Sequence, residues 1–213
     1  MNLLRWLVRK LDAALRRGLG IREFSDASDC LLRLGLGSSP REVTLSDGTH
    51  IRPGEPIGEI HFWNEHMPPI PEGGADLAWA RRFSRYLTAS FRELARYIEK
   101  APRYRQVRAF RGVDSFGSWY GLEQMARIYA RWGFDMFPQP RPTGLWGRLA
   151  RFWEHAYATA LIWAYDPHAL KDGRLKDWRR DEIWISRRTL LDKYAPEGER
   201  LPPQLEERSR ALR

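Results

Sequence analysis

The chain has 213 residues, which suits one globular domain with appendages, and it carries 36 Lys and Arg against 27 Asp and Glu. A hydrophobic share of 43% and a charged share of 30% fit a soluble, folded protein, and the formal net charge of +9 favours an anionic partner. The single cysteine, Cys30, excludes an intrachain disulfide and a cysteine-rich zinc site, so we expect a reducing compartment, the cytoplasm.

The amino-terminal segment, residues 1–20, has the pattern of a basic amphipathic helix. On a helical wheel Leu7, Leu11 and Leu15 share one face with further apolar residues. Arginines interrupt every apolar run, so no signal-peptide core is present, and no part of the chain reaches the roughly 18 apolar residues of a membrane span. The helix lies either on an anionic membrane surface or on the protein's own core. On a membrane, the binding residues would be Arg5, Trp6, Arg9, Lys10, Arg16 and Arg17.

Short strands follow the amino-terminal helix. Residues 21–40 are interpreted as a connector with one apolar run, CLLRLGLG. VTL, HI and PIGEIHFW are predicted strands, because the Asp-Gly of SDGT and the Pro-Gly of RPGEP between them are turn sequences. NEHMPPIPEGG is predicted to be a loop, since its prolines block both a helix and a strand ladder.

The rest of the chain alternates helices with strands. Apolar residues at helical spacing predict helices over 76–100, with Asp76 as the N-cap, and over 118–132 and 145–165. QVRAFRGV, FDMFP and DEIWIS are predicted strands, RRTLLDKY is a short final helix, and residues 196–213 form a polar tail.

This order predicts an α/β domain over residues 21–195, in which three long helices cover a mixed sheet of five to six strands, with an α+β arrangement as the alternative. The common glycine-rich phosphate loops and the Gly-x-Ser-x-Gly hydrolase signature are missing. HFWNEH is one residue out of step with a His-x-x-Glu-His zinc-protease motif and lies on a strand rather than a helix. We therefore expect no metal and no cofactor.

The stretch GEIHFWNEH is the strongest candidate site. On an extended strand Glu59 and His61 share one face, where they would lie under the covering helices as a paired carboxylate and imidazole. Asn64, Glu65 and His66 follow the carboxyl end of the strand, where open α/β sheets bind ligands. In one interpretation His61 is a catalytic acid or base oriented by Glu59, with Asn64 and Glu65 in contact with substrate. In the other, His61 is a hydrogen-bonded core histidine and Asn64 caps the loop.

A second candidate lies in FRGVDSFGSWYG. Asp114 and Ser115 come at a strand's carboxyl end, just before a turn into a helix, and the backbone N–H groups of such a turn suit an anionic substrate. The alternative is that Asp114 or Ser118 only caps the helix.

A third candidate lies in RRDEIWISRRTLLDKY. Ser186 and Arg187, at the far end of the strand, are candidate substrate contacts. Asp181 and Glu182 point to opposite faces and cannot form an acid–base pair. We expect them to be ion partners of the surplus arginines.

Two stretches carry a family resemblance. VTLSDGTHIRPGEPIGEIHFWNEH and DEIWISRRTLLDKY resemble two signature segments of the YkoP-like family of bacterial proteins, and the similarity extends over residues 43–194. Domains of that family occur alone or fused with polysaccharide deacetylases, and the family has no established activity. The resemblance implies a role in envelope glycan or lipid metabolism without supplying a mechanism.

Two hypotheses follow. The first is an accessory or binding protein on the inner face of the cytoplasmic membrane, with an anionic membrane surface or an anionic glycan or lipid as its partner. The second is a transferase or hydrolase that acts on such an intermediate, with His61 as acid or base. The arginines of residues 81–96 could follow phosphates, but no nucleic-acid module signature occurs, so we expect no nucleic-acid partner.

Overall fold

The computed structural model describes residues 3–71, 74, 76–114, 122–138, 144, 153, 156, 159–160 and 181–195. Within these residues the chain forms four α-helices, seven β-strands and two 3-10 turns. The helices are α1 (Leu3–Gly18), α2 (Leu77–Lys100), α3 (Leu122–Arg131) and α4 (Arg187–Tyr194). The strands are β1 (Leu32–Ser38), β2 (Val43–Thr44), β3 (His50–Ile51), β4 (Pro56–Phe62), β5 (Ala109–Asp114), β6 (Asp135–Pro138) and β7 (Asp181–Ser186).

Five strands form one mixed sheet, as the sequence predicted, and the structure gives their order as β1-β4-β5-β7-β6. Strands β4 and β5 run parallel, and the other neighbouring pairs are antiparallel. The connector predicted over residues 21–40 is wrong in part, because its apolar run forms β1, which pairs with β4 along its whole length. Gly35 and Gly37 interrupt the alternation by which a strand is normally recognised.

Strands β2 and β3 form a separate hairpin around the predicted SDGT turn. Gly48 in this turn has a φ of +82°, a conformation that costs glycine little. Val43 and Ile51 of the hairpin pack against Ala109 and Trp184, so the hairpin covers part of one face of the main sheet.

Helix α2 covers the opposite face of the sheet together with α3 and α4. The predicted N-cap is confirmed: Asp76 Oδ1 accepts a hydrogen bond of 2.7 Å from the backbone N–H of Trp79. Each large apolar side chain that α2 buries contributes about 1.5–3 kcal/mol. These side chains are Leu87, Phe91, Leu94 and Ile98, and they share a core with Leu34, Ile60, Phe110, Ile183 and Ile185 of the sheet.

Glu59 and His61 lie on the sheet face opposite the one that α2, α3 and α4 cover. The pleat directs Ile60 and Phe62 of β4 toward the helices, so the side chains between them point the other way. Helices α2, α3 and α4 therefore do not cover Glu59 and His61, most of the predicted helix over 145–165 lies outside the described residues, and the common face of the two side chains is confirmed.

The described part of the chain contains four α-helices, with α1 among them, and not three long helices beside the amino-terminal one. In that part α2 has 24 residues, whereas α3 and α4 have 10 and 8. The first residues of the predicted helix over 118–132, most of the one over 145–165, and the predicted tail lie outside the described residues. No helix in the described part of the chain is long and apolar enough to cross a membrane.

Candidate functional site

Helix α1 contacts the protein through its polar face. Asp12 is only 3% exposed and its Oδ2 lies 3.0 Å from Nε of Arg16, one turn later. The same guanidinium lies 3.3 Å from Glu65 Oε1 and 3.7 Å from Glu23 Oε1. Arg16, which the sequence analysis assigned to the membrane, is therefore bound to the protein.

The apolar face of α1 points away from the protein. Leu7 is 48% exposed and Leu11 is 55% exposed. The alternative in which α1 docks on the protein's own core by its apolar face is therefore wrong. The side chain of Arg5 lies outside the described part. The other large apolar residues exposed along this segment are Leu3, Trp6, Leu15 and Leu19, and the exposed charged residues of the helix are Arg9, Lys10 and Arg17.

A buried arginine of β1 completes the attachment of α1. Arg33 Nη2 lies 3.0 Å from Glu23 Oε1, and its Nη1 lies 3.1 Å from Glu65 Oε2. Burial alone would raise the pKa of Glu65, but the hydrogen bond and charge of Arg33, with the charge of Arg16, hold that pKa below its usual value. We call this group, Asp12, Arg16, Glu23, Arg33 and Glu65, the α1 latch.

The residues beyond β4 form a 3-10 turn, Asn64–His66, instead of an irregular loop. His66 Nδ1 donates a hydrogen bond of 2.9 Å to the carbonyl of Cys30, and its ring stacks on Trp63 at a centroid distance of 3.7 Å. Glu65 and His66 therefore have structural partners here. Asn64 is half-buried at the same strand end.

Glu59 and His61 lie close together without a hydrogen bond. Glu59 Oε2 is 3.9 Å from His61 Nε2, and its Oε1 is 3.7 Å from Arg111 Nη1. The His61 side chain is 39% exposed, but its Nε2 is shielded from solvent and has no hydrogen-bond partner. Burial lowers the pKa of His61, and Arg111 lowers it further against the opposing effect of Glu59. His61 is therefore a half-exposed, mainly neutral imidazole at pH 7 and not a hydrogen-bonded core histidine.

Arg111 connects Glu59 to a buried carboxylate. Arg111 donates hydrogen bonds of 3.1 and 2.7 Å to Glu182 Oε1, and Arg41 donates bonds of 3.0 and 2.9 Å to Oε2. Trp184 Nε1 adds a fifth bond of 3.1 Å. Burial tends to raise the pKa of Glu182, but these cations and hydrogen bonds hold it below its usual value. The prediction that Glu182 pairs with surplus arginines is confirmed.

Two glycines of β1 lie beside Glu59 and His61 on this face. A Cβ at Gly37 would lie 2.7 Å from Glu59 Cδ, and one at Gly35 would lie 3.6 Å from His61 Nε2. The two polar side chains therefore lean over strand β1, into space that a larger residue at position 37 would occupy.

Asp114 lies at the same edge of the sheet as Asn64. Strands β4 and β5 are parallel with Ile60 opposite Gly112, so both end two residues later, at Phe62 and Asp114. The side chain of Asp114 and all of Ser115 lie outside the described residues.

Ser186 lies at the opposite edge, because it pairs with Ala109, the first residue of β5. Its hydroxyl donates a 2.6 Å hydrogen bond to Asp47 Oδ2 in the SDGT turn and accepts one of 2.9 Å from the N–H of Thr189, which caps α4. Ser186 is therefore not part of a cleft with Asn64 or His61.

Arg187 holds the end of α2. It donates hydrogen bonds to the carbonyls of Tyr104, at 2.8 Å, and Ile98, at 3.0 Å. Burial lowers the pKa of Arg187, and it serves here as a structural cation near the carboxyl end of a helix. The predicted substrate contacts thus divide between the two edges of the sheet. At this edge Ser186 binds the SDGT turn and caps α4, and Arg187 binds the end of α2.

The sequence analysis did not single out Arg33 or Arg111. Arg33 lies opposite His61, and Arg111 lies opposite Glu59, on one face of the sheet. Alternation along each strand places these two arginines on the same face as Glu59 and His61. The sequence would reveal this only if β1 were recognised as a strand and its register with β4 were known.

Helices on one face of a mixed sheet, a hairpin on the other and an outward-facing amphipathic helix define an α/β protein with a polar, partly exposed sheet face. A family model of the YkoP domain matches residues 2–194, so the chain belongs to the YkoP domain family. The match includes α1, which lies outside the two signature segments. Comparisons with curated proteins and with solved structures gave no match.

Proposed function

We propose that this protein is a membrane-peripheral accessory or binding protein in bacterial envelope glycan or lipid metabolism, and that α1 is its membrane contact. The outward apolar face of α1 supports the proposal most directly. A leucine that is half exposed in water gains free energy when a bilayer interface covers it. The α1 latch holds the polar side of the helix, so the leucines keep this outward direction.

Charge favours an anionic bilayer over a second copy of the chain as the occupant of this face. The exposed charged residues of α1 are all basic, while its one acid, Asp12, is buried in the latch. Two copies packed through α1 would bring like charges together, whereas anionic headgroups would neutralise them.

The test is sedimentation with vesicles of phosphatidylcholine that contain phosphatidylglycerol. We expect the double variant Leu7→Gln, Leu11→Gln to bind the vesicles about 30-fold more weakly than the unmodified protein. Each of the two half-exposed leucines should contribute roughly 1 kcal/mol to the binding free energy. Glutamine retains helix propensity, and both side chains are exposed, so the fold is preserved. These substitutions also leave the latch intact, which a deletion of the helix would not.

The matched control is Leu77→Gln, which changes a 66% exposed leucine at the start of α2. We expect this variant to bind like the unmodified protein, and we expect added salt to weaken binding of both. Equal sedimentation of the α1 double variant and the control would contradict the proposal.

A second candidate function is a transferase or hydrolase that acts on an anionic glycan or lipid intermediate. The observation in its favour is His61 beside Glu59 on an accessible sheet face. A neutral imidazole can accept a proton at pH 7, and a carboxylate next to Nε2 can orient the ring as in other base–orienter pairs. Glu59 would orient His61, and Asn64 and Asp114 would contact substrate.

Proton NMR titration tests this pair. The ring resonance that is missing from His61→Gln should titrate below 6.5 in the unmodified protein, because burial lowers the pKa of His61. In Glu59→Gln the midpoint should fall further, since the carboxylate raises it. An unchanged midpoint in Glu59→Gln would mean that the carboxylate does not act on His61.

A further inference from the structure

Glu59 is under-coordinated in comparison with its neighbour Glu182. The Glu182 carboxylate accepts five hydrogen bonds, whereas the nearest cationic groups of Glu59 lie at 3.7 and 3.9 Å, beyond hydrogen-bond distance. Arg111 uses Nε and Nη2 on Glu182, and its Nη1 is the atom that faces Glu59. A carboxylate acceptor and a guanidinium donor are therefore both available on one side of the sheet.

This pairing suits hydroxyl groups better than it suits an anion. A hydroxyl can donate to the Glu59 carboxylate and accept from Arg111 Nη1, and two adjacent hydroxyls can do both at once. A phosphate or a carboxylate in the same place would meet the negative charge of Glu59 at short range. The His61 ring beside Glu59 is 39% exposed, and because its Nε2 is shielded from solvent, Nδ1 is the ring nitrogen that remains for a ligand.

The sheet surface formed by Glu59, His61 and Arg111 lies next to the end of α1. A Cβ at Gly35 would lie 3.5 Å from Cγ1 of Ile21, three residues after the helix, and 3.6 Å from Nε2 of His61. The segment after α1 therefore borders β1, the strand over which His61 leans from β4. A bilayer under α1 would bring its headgroup layer close to this surface.

We propose that Glu59, His61 and Arg111 bind the hydroxyl-bearing headgroup of a lipid in the bilayer on which α1 lies. This inference rests on the proposed membrane function and adds the chemistry of the ligand. The membrane anchor supplies affinity, and the sheet face supplies selectivity for vicinal hydroxyls.

The experiment compares two anionic lipids of equal charge in phosphatidylcholine vesicles, with the full chain. Phosphatidylglycerol carries two vicinal hydroxyls, and phosphatidylmethanol carries none. We expect the unmodified protein to bind the phosphatidylglycerol vesicles at least about threefold more tightly, the discrimination of one hydrogen bond of modest strength. Glu59→Gln should remove the preference and retain binding to both vesicles. His61→Gln, as a second variant, should reduce it, and the exposed Glu42→Gln should leave it unchanged.

The outcomes separate this inference from the proposed membrane function. Equal binding of the unmodified protein to the two vesicles overturns the headgroup site and leaves the membrane function standing, whereas binding to neither overturns both. A preference that survives in Glu59→Gln also overturns the assigned residues. Competition by free glycerol 1-phosphate as strong as that of the vesicles would overturn the membrane as the source of the ligand.

Discussion

Asp47 joins the two segments by which the family is recognised. Its Oδ2 accepts hydrogen bonds from the hydroxyls of Ser186, at 2.6 Å, and Thr189, at 3.2 Å, and its Oδ1 accepts from the N–H of Thr49 at 2.9 Å. Arg188 adds a charge contact at 3.3 Å. Ser186, the last residue of β7, and Thr189 of α4 thus both bind the SDGT turn, and Ser186 also caps α4. These bonds join the two signature segments.

Replacement of Asp47 by asparagine should destabilise the protein by about 2 kcal/mol at pH 7. Partial burial opposes the charged form, but the hydrogen bonds from Ser186, Thr49 and Thr189 lower the pKa of Asp47 from 3.8 to about 2, which corresponds to this energy. Because the folded-state pKa is the lower one, the contribution is complete above about pH 4 and is lost as the pH falls through about 2.

Urea denaturation of both proteins at pH 7, 4 and 2.5 measures this difference. The gap between the unmodified protein and Asp47→Asn should shrink toward the most acidic condition. Asp26→Asn, which changes an exposed aspartate, is the control and should show a small effect at every pH. A gap that stays constant with pH would exclude ionisation of Asp47 as its cause.

At the level of elements, the amphipathic pattern of α1 predicts two faces but not which of them docks. An apolar helix face usually docks on a core, because removing apolar surface from water is favourable. In α1 the polar face docks instead, since the buried Asp12 has a partner in Arg16 and Glu65 has two cationic partners. Satisfied charges make the inward position of this polar face tolerable.

Arg16→Ala should therefore loosen α1, whereas Arg17→Ala should not. The first substitution removes the ion pair of Arg16 with buried Asp12 and a contact of Glu65, and the second changes an exposed neighbour. Loss of a partly buried ion pair costs about 1–3 kcal/mol, so amide hydrogen exchange in α1 should accelerate roughly tenfold or more.

Hydrogen-exchange mass spectrometry of peptides that cover α1 measures this change, with α2 peptides as the internal reference. Equal exchange in α1 of the two arginine variants would show that the latch does not hold the helix. A comparable acceleration in α2 would instead indicate global destabilisation and would contradict a local role for Arg16.

At the level of the whole molecule, much of the sheet could be predicted from local signals. Alternation and turn residues located β4 and the hairpin, and the capped, apolar-striped pattern located α2. The edge strand β1 escaped because Gly35 and Gly37 break the alternation. Local patterns also give no information on which face of β4 the helices cover, since that depends on how all the strands assemble.

The candidate site was predictable in its residues on β4 and not in its surroundings. Alternation placed Glu59 and His61 on one face, as observed. The α1 latch joins Arg16 to a residue 49 positions away, and Arg41 reaches Glu182 across 141 positions. Contacts at such separations follow from strand order and register, which one sequence does not specify.

The fold also predicts how the molecule is oriented on a bilayer. The latch places Glu65, and with it the 3-10 turn Asn64–His66, beside the inward side of α1. With α1 as the proposed membrane contact, we expect the carboxyl end of β4 to be the edge of the sheet nearest the bilayer. Arg52, in the turn before β4, lies at the opposite end of that strand and should remain far from the lipid.

Labels at the two ends of β4 test this orientation. Cys30 is fully buried, so a fluorophore can be attached to a cysteine introduced as Asn64→Cys or Arg52→Cys. With phosphatidylglycerol vesicles that contain a headgroup nitroxide lipid, we expect strong quenching at position 64 and little at position 52, because nitroxides quench only at short range. The same labels in the Leu7→Gln, Leu11→Gln background should show neither effect. Strong quenching at position 52 with little at 64 would contradict this orientation.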